Sequence, residues 1–372
     1  MTDLSELQAL ERLVLWLAFG LAAVLGWIIQ RTHFCTMGAI SDRLLMGDAT
    51  RLRQWALALA VAILGLGLLT ASGHVRPMDS IYAIARFPWL SYLLGGLIFG
   101  VGMVLASGCP TKNLVRLAGG SLKALVVLLV MGMSALATMR GATGLLRVHW
   151  TDPLTTGFET GPFIGQWLAA GMGWSQPAGF LGAAVLVSVA LLVWVLRSRD
   201  FLQPNNLLAG LGIGAVLLAL WWASGVLGFV PEHPETLEPV FVATASGRME
   251  GLSFTGPVGQ WLDAFMYQAD GRKHLSLGMV LVLGVLAGAA LSAWRRQELR
   301  WEGFTRTSDL ARHLVGAFLM GVGGVSAMGC TFGQGLTGLS TLNWGSLVAV
   351  AAIVAGAVLA LRVQWWLAAR DV

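Results

Sequence analysis

The sequence predicts an all-α integral membrane protein. It has about nine transmembrane helices plus re-entrant half-helices, arranged as two inverted-topology repeats forming an hourglass. Three observations predict this: a lipid-shifted composition, nine long apolar stretches, and an internal repeat whose copies run in opposite directions.

Of 372 residues, 56% are hydrophobic and 12% charged, against roughly 45–50% apolar and about 25% charged in soluble domains. Mean hydropathy is +0.73. This excludes a disordered chain, a nucleic-acid binder built on basic patches and an ordinary cytosolic enzyme. The net charge of +5 spreads 24 basic residues too thinly for a phosphate-tracking surface. The 48 glycines suit close helix packing and broken helices in membranes. The three cysteines are far apart, so neither a disulfide framework nor a zinc motif follows.

A bilayer core needs about 20 mostly apolar residues in helical form. Nine stretches qualify: 11–30, 53–73, 91–107, 122–140, 177–197, 207–230, 275–294, 310–328 and 345–367. Any one of them fits a buried helix of a large soluble protein, but nine in one chain do not. The N-terminal segment carries Glu6 and Glu11 rather than the basic region of a cleaved signal peptide, so the first span is expected to be retained.

Sixteen of the 24 basic residues fall on one side of these spans, including Arg31, Arg51, Lys112, Arg116, Lys123, Arg296 and Arg370. The other side holds eight, including Arg147, Arg248, Arg272 and Lys273, together with the acidic loop 231–239. The positive-inside rule then places the N-terminus outside and the C-terminus in the cytoplasm.

Residues 91–109 and 312–330 match at nine of 19 positions at an offset of 221. The matches include Gly95/Gly316, Gly100/Gly321, Gly102/Gly323, Gly108/Gly329 and Cys109/Cys330. The two spans lie five apart in order, so they cross in opposite directions, as in transporters with a midplane substrate site. A weaker match pairs 33–45 with 253–265 and sets Thr255 opposite Cys35. The expected organisation is a single membrane domain over 1–372. It divides into a first inverted half over 10–145, a linking transmembrane helix over 175–200 and a second inverted half over 205–368. The segments 33–45, 110–118, 253–265 and 331–339 are too short to span and read as re-entrant. Irregular backbone at membrane depth belongs inside protein or beside water.

Cys109 and Cys330 each follow a glycine, Gly108 and Gly329, and precede a short helix. Pro110 suits the first helical position, and Thr331 is compatible with a helix start. Helix N-termini attract anions and favour thiolate over thiol. A single cysteine reads more readily as a small buried hydrophobe; a repeat-related pair, with Cys35 in a third such segment, favours function. Thr111, Lys112 and Asn113 in one half-helix, Gln334 in the other, and Thr255 complete the candidate set. Lys112 and Arg116 either face the path or snorkel to the interface. The six histidines form no metal-spaced cluster, and no Walker A, nucleophile-elbow or HExxH motif occurs. No catalytic residue, metal or cofactor is expected. The 16 tryptophans, Trp221–Trp222 and Trp365–Trp366 among them, read as interfacial anchors.

The segments RTHFCTMGAISDRLLMGD, ASGCPTKNLVRLAGGSLKALVVL and MGCTFGQGLTGLS, with SFTGPVG, resemble the YeeE/YedE sulfur-transport family over nearly the whole chain. The resemblance implies inner-membrane import of thiosulfate or a related inorganic sulfur anion. It also implies a relay from Cys330 on the outer side through Cys109 at the constriction to Cys35 on the inner side. A cytoplasmic TusA-like sulfur-carrier protein is the implied partner. Gln334 departs from the family, whose members often carry His there. A membrane sulfurtransferase or oxidoreductase carrying a cysteine persulfide, or a transporter of a selenium species, is the alternative.

Overall fold

Lipid offers no hydrogen-bond partners, so a chain this apolar satisfies its backbone by forming helices. The computed structural model describes residues 4–234, 236–267 and 275–369. Arg272, Lys273 and Arg370, used above for orientation, and Glu235 of the acidic loop lie outside the described residues.

The first six helices are α1 (Leu4–Thr32), the short α2 (Thr36–Ser41), α3 (Thr50–Ala71), α4 (Trp89–Leu105), the short α5 (Pro110–Ala118) and α6 (Leu122–Arg140). Two short helices follow, α7 (Ala142–Leu146) and α8 (Ile164–Met172), and then α9 (Gln176–Leu196). The remainder comprises α10 (Pro204–Trp222), α11 (Thr255–Met266), α12 (Leu277–Arg295), α13 (Thr307–Ser326) and α14 (Trp344–Ala368). A π-helical segment, Gly333–Gly338, precedes α14. Two small antiparallel ribbons close the loops: Arg86–Phe87 with Thr156–Gly157, and Phe229–Val230 with Val240–Phe241.

Among the described residues, eight helices are long and apolar enough to cross a membrane. The ninth expected span, 310–328, does form a helix, α13, but Asp309, Arg312 and His313 near its start and four glycines lower its hydropathy. It packs against α4 and α6.

The packing is reciprocal. Helix α1 packs on α12, and α10 on α3; α4 packs on α14, and α13 on α6. The short α2 touches α3 and α14, while α11 touches α12 and α6. Helix α5 lies on α12, and the Gly333–Gly338 segment lies on α3. Helix α9 stands apart from this exchange and packs on α3 and α8.

The centre of this arrangement is the crossing of α4 and α13. A Cβ added to Gly95 would lie 2.5 Å from the Ala327 nitrogen, and one added to Gly316 would lie 2.5 Å from the Ala106 nitrogen. Small residues here let two backbones touch, which is how membrane helices gain packing without a hydrophobic driving force. Both helices end in the same turn. Gly108 N–H donates to Met103 O and Ser107 N–H to Val104 O; Gly329 N–H donates to Gly324 O and Met328 N–H to Val325 O. This is the Schellman pattern, which needs a left-handed residue. Ser107 and Met328 supply it, both at φ 57°.

The tryptophan expectation holds only in part. Trp222, Trp365 and Trp366 are exposed, but Trp221 is fully buried and its Nε1–H donates to Ser340 Oγ at 2.9 Å. Trp55 is also buried.

Candidate functional site

The turns that end α4 and α13 deliver Cys109 and Cys330 into the protein interior, where both are buried, as is Cys35. Cys35 caps α2, and its Sγ accepts the Gly38 N–H at 3.4 Å. Cys330 Sγ accepts the Gly333 N–H at 3.4 Å. Cys109 caps α5 and faces the Lys112 amide in the same three-residue relation. Pro110, the first residue of α5, has no N–H to leave orphaned. Cys109 lies within electrostatic reach of both Cys35 and Cys330, and the Thr331 hydroxyl lies beside its thiol.

The helix expected after Cys330 differs from its counterpart. Residues 331–332 form a turn, and Gly333–Gly338 is π-helical rather than α-helical. Gly333, Gly335 and Gly338 within six residues weaken the ordinary helix here. Thr331 therefore does not start a helix. The pairing of Cys35 with Thr255 is likewise shifted: Cys35 is a cap, whereas Phe254 caps α11 and Thr255 is its first residue. Thr255 packs against Gly324 of α13.

Two side-chain amides hold the cysteine turns. Asn113 Nδ2 donates to the carbonyls of Gly108 (3.0 Å) and Cys109 (3.2 Å). Gln334 Nε2 donates to those of Ala327 (2.7 Å) and Met328 (3.1 Å). Lys112 is half-buried and lies near His33, while Arg116 turns back to the Ser107 carbonyl at 3.5 Å.

Around these groups several buried polar atoms have no hydrogen-bond partner: Thr36 Oγ1, Thr111 Oγ1, Asn113 Oδ1, Thr255 Oγ1, Thr331 Oγ1 and Gln334 Oε1. Native interiors leave few such atoms without water or another partner. They cluster beside the three thiols in an otherwise apolar protein.

Sequence reasoning missed the aromatic frame. Phe34 stacks on Trp55 at 4.8 Å, and Phe332 meets Phe34, Trp55 and Phe254 edge-on at 5.9, 5.5 and 5.7 Å. It also missed Tyr82, whose hydroxyl donates to Gly333 O at 2.5 Å while Asn343 Nδ2 donates to Tyr82 O. The adjacency of Phe34 to Cys35 and of Phe332 to Cys330 was the available signal. A cavity of about 480 Å³ reaches Gly329 and includes Tyr82, Arg147, Arg248 and Glu250. Among the described residues, no group of three His, Cys, Asp or Glu side chains is placed to hold a metal.

The sequence model of the family described as sulphur transport matches residues 31–359. The chain belongs to this family. It is 27% identical over 346 residues to a protein of Escherichia coli (strain K12) named thiosulfate transporter TsuA, with 90% of each chain covered. It is 25% identical over 342 residues to a protein of the same name from Spirochaeta thermophila, covering 90% of this chain and 94% of that one. The matched region contains all three cysteines, both amide clamps and this cavity. Membership of a sulphur-transport family together with eight helices long and apolar enough to cross a bilayer supports a membrane location.

Proposed function

We propose that this chain carries thiosulfate inward across the bacterial inner membrane and acts as a transporter rather than an enzyme. The observation that carries the reading is the grouping of Cys35, Cys109 and Cys330 with unpartnered buried hydroxyl and amide oxygens. The names of the relatives supply the substrate.

The chemistry follows from the thiol environments. A dianion shedding water at a constriction needs replacement donors. In Cys35 and Cys330 the backbone N–H engages a sulfur lone pair, which leaves the S–H free to donate into the path. A thiol is a weak donor and a polarizable one, suited to the soft terminal sulfur of thiosulfate. The N-terminus of α5 adds a favourable dipole at Cys109. The ion passes from Cys330 to Cys109 to Cys35 with no covalent bond formed, and several weak sites favour passage over trapping. Gly108 and Gly329 form the turns, Asn113 and Gln334 hold them, and Thr111, Thr255 and Thr331 offer hydroxyls along the way.

Residues 10–145 and 205–368 act as two inverted halves joined by the helix in 175–200, and the reciprocal helix contacts support that division. The N-terminus lies outside, the C-terminus lies in the cytoplasm, and a TusA-like carrier receives the imported sulfur there. Uptake of labelled thiosulfate into proteoliposomes, competed with sulfate, sulfite and selenium oxyanions, tests the reading. Saturable uptake displaced by unlabelled thiosulfate is expected. No uptake, together with a stable sulfur adduct of about 32 Da on the protein, would instead identify a persulfide-forming enzyme.

A further inference from the structure

The three thiols have an apolar neighbour on the lipid side. A cavity of about 340 Å³ lies between α2, α3, α9, α14 and the Gly333–Gly338 segment. Its wall is aliphatic apart from Trp55, Trp194 and two threonines, Thr36 and Thr331, which directly follow Cys35 and Cys330. Of the lining residues, Leu52, Trp194 and Val354 are exposed, so the cavity opens on the outer face of the helix bundle. Leu52 stands in the first turn of α3 and Trp194 in the last turn of α9. The mouth therefore reaches the level where interfacial tryptophans and headgroups meet. Arg53 stands at this mouth. Its guanidinium carbon lies 5.4 Å from the centroid of the Trp194 ring, and its Nε has no hydrogen-bond partner. Among the described residues, no carboxylate pairs with it.

We infer that this cavity and Arg53 together bind one anionic bilayer phospholipid, with an acyl chain in the cavity and the headgroup phosphate on the guanidinium. Water is a poor occupant, because a buried water needs several polar partners and an apolar cavity stays dry. An empty cavity forfeits the dispersion contacts of its lining. Hydrocarbon supplies those contacts, and a bilayer presents hydrocarbon at the open side. A chain alone gains little by leaving lipid that is equally apolar, so the headgroup provides the selectivity. A guanidinium pairs with a phosphate through parallel N–H donors, and basic sites between membrane helices hold anionic headgroups in this way. Arg197, the C-cap of α9 three residues beyond Trp194, adds positive charge at the same level. A chain in the cavity backs Thr36 and Thr331, and so supports the turns after Cys35 and Cys330 from the lipid side. Lipid binding here is independent of which ion passes the thiols.

The test uses the purified full chain in detergent, with lipid retention read by native mass spectrometry. Phosphatidylglycerol and phosphatidylcholine with identical acyl chains are the two probes. The wild type is expected to retain phosphatidylglycerol about fivefold more strongly, equivalent to about 1 kcal/mol, and to melt at a higher temperature with it bound. Arg53→Gln should erase that preference, and Arg53→Lys should keep part of it. Val350→Phe, which places a ring in the cavity, should reduce retention of both lipids and the accompanying thermal gain. Should Val350→Phe fail to fold, Val354→Phe at the exposed rim takes its place. Equal retention of the two lipids by the wild type, or an unchanged preference in Arg53→Gln, overturns the inference. So does undiminished retention in the folded phenylalanine variant; an altered oligomeric state alongside it would assign this face to a second copy of the chain.

Discussion

Asn113 and Gln334, which correspond at the 221-residue offset, clamp the two cysteine turns through the same kind of bond. Each directs its side-chain NH₂ at two backbone carbonyls of the turn before it. The longer Gln334 reaches carbonyls two residues further back in the equivalent sequence, and Arg116 covers the matching Ser107 carbonyl in the other half. Both amides leave a buried oxygen unpartnered. The clamp explains how a short amide and a longer one serve equivalent places, and why a titratable histidine is unnecessary for holding the turn around Cys330.

The α4–α13 crossing depends on backbone contact. Gly316→Val would drive a Cβ to within 2.5 Å of the Ala106 nitrogen. Overpacking of this kind costs about 1–3 kcal/mol or more. A lower melting temperature and a reduced monodisperse yield are expected. Gly303→Val, with nothing within 4 Å of the added Cβ, should leave both unchanged.

Orientation follows from the distribution of arginine and lysine. A reporter fused after Val372 should be cytoplasmic, and a tag within 231–239 should be labelled from outside by an impermeant reagent. The reverse result would exchange the inner and outer assignments of Cys35 and Cys330.

Lys112 sits on the half-helix that Cys109 caps, but its backbone amide is the part that faces the thiol. Lys112→Ala retains that amide, so uptake should fall only partially, by about two- to fivefold as for a rim charge. Complete loss with normal expression would show that the ammonium group itself holds the ion.

Much of the architecture was legible because lipid makes apolar length nearly equivalent to helix. The Gly and Cys identities at a fixed offset also survive in space, as the matched turns at Ser107 and Met328 show. What escaped the sequence depends on the third dimension. Nothing local distinguishes the buried Trp55 and Trp221 from interfacial tryptophans, since each lies near the end of an apolar stretch. The π-helical Gly333–Gly338 segment arises from a choice between hydrogen-bond patterns that glycine leaves open. Arg248 and Glu250 sit in a long polar loop, and only folding brings them to the cavity that reaches Gly329.

Cys109 lies within electrostatic reach of both other thiols and beside Thr331, the place the proposed path assigns to its constriction. Uptake of labelled thiosulfate by Cys109→Ala is therefore the most direct measurement, read alongside Cys109→Ser, Cys35→Ser and Cys330→Ser. Cys109→Ala and Cys109→Ser should abolish or severely reduce uptake in normally folded protein. Cys35→Ser and Cys330→Ser should impair it less. Normal uptake by Cys109→Ala would contradict the thiol path.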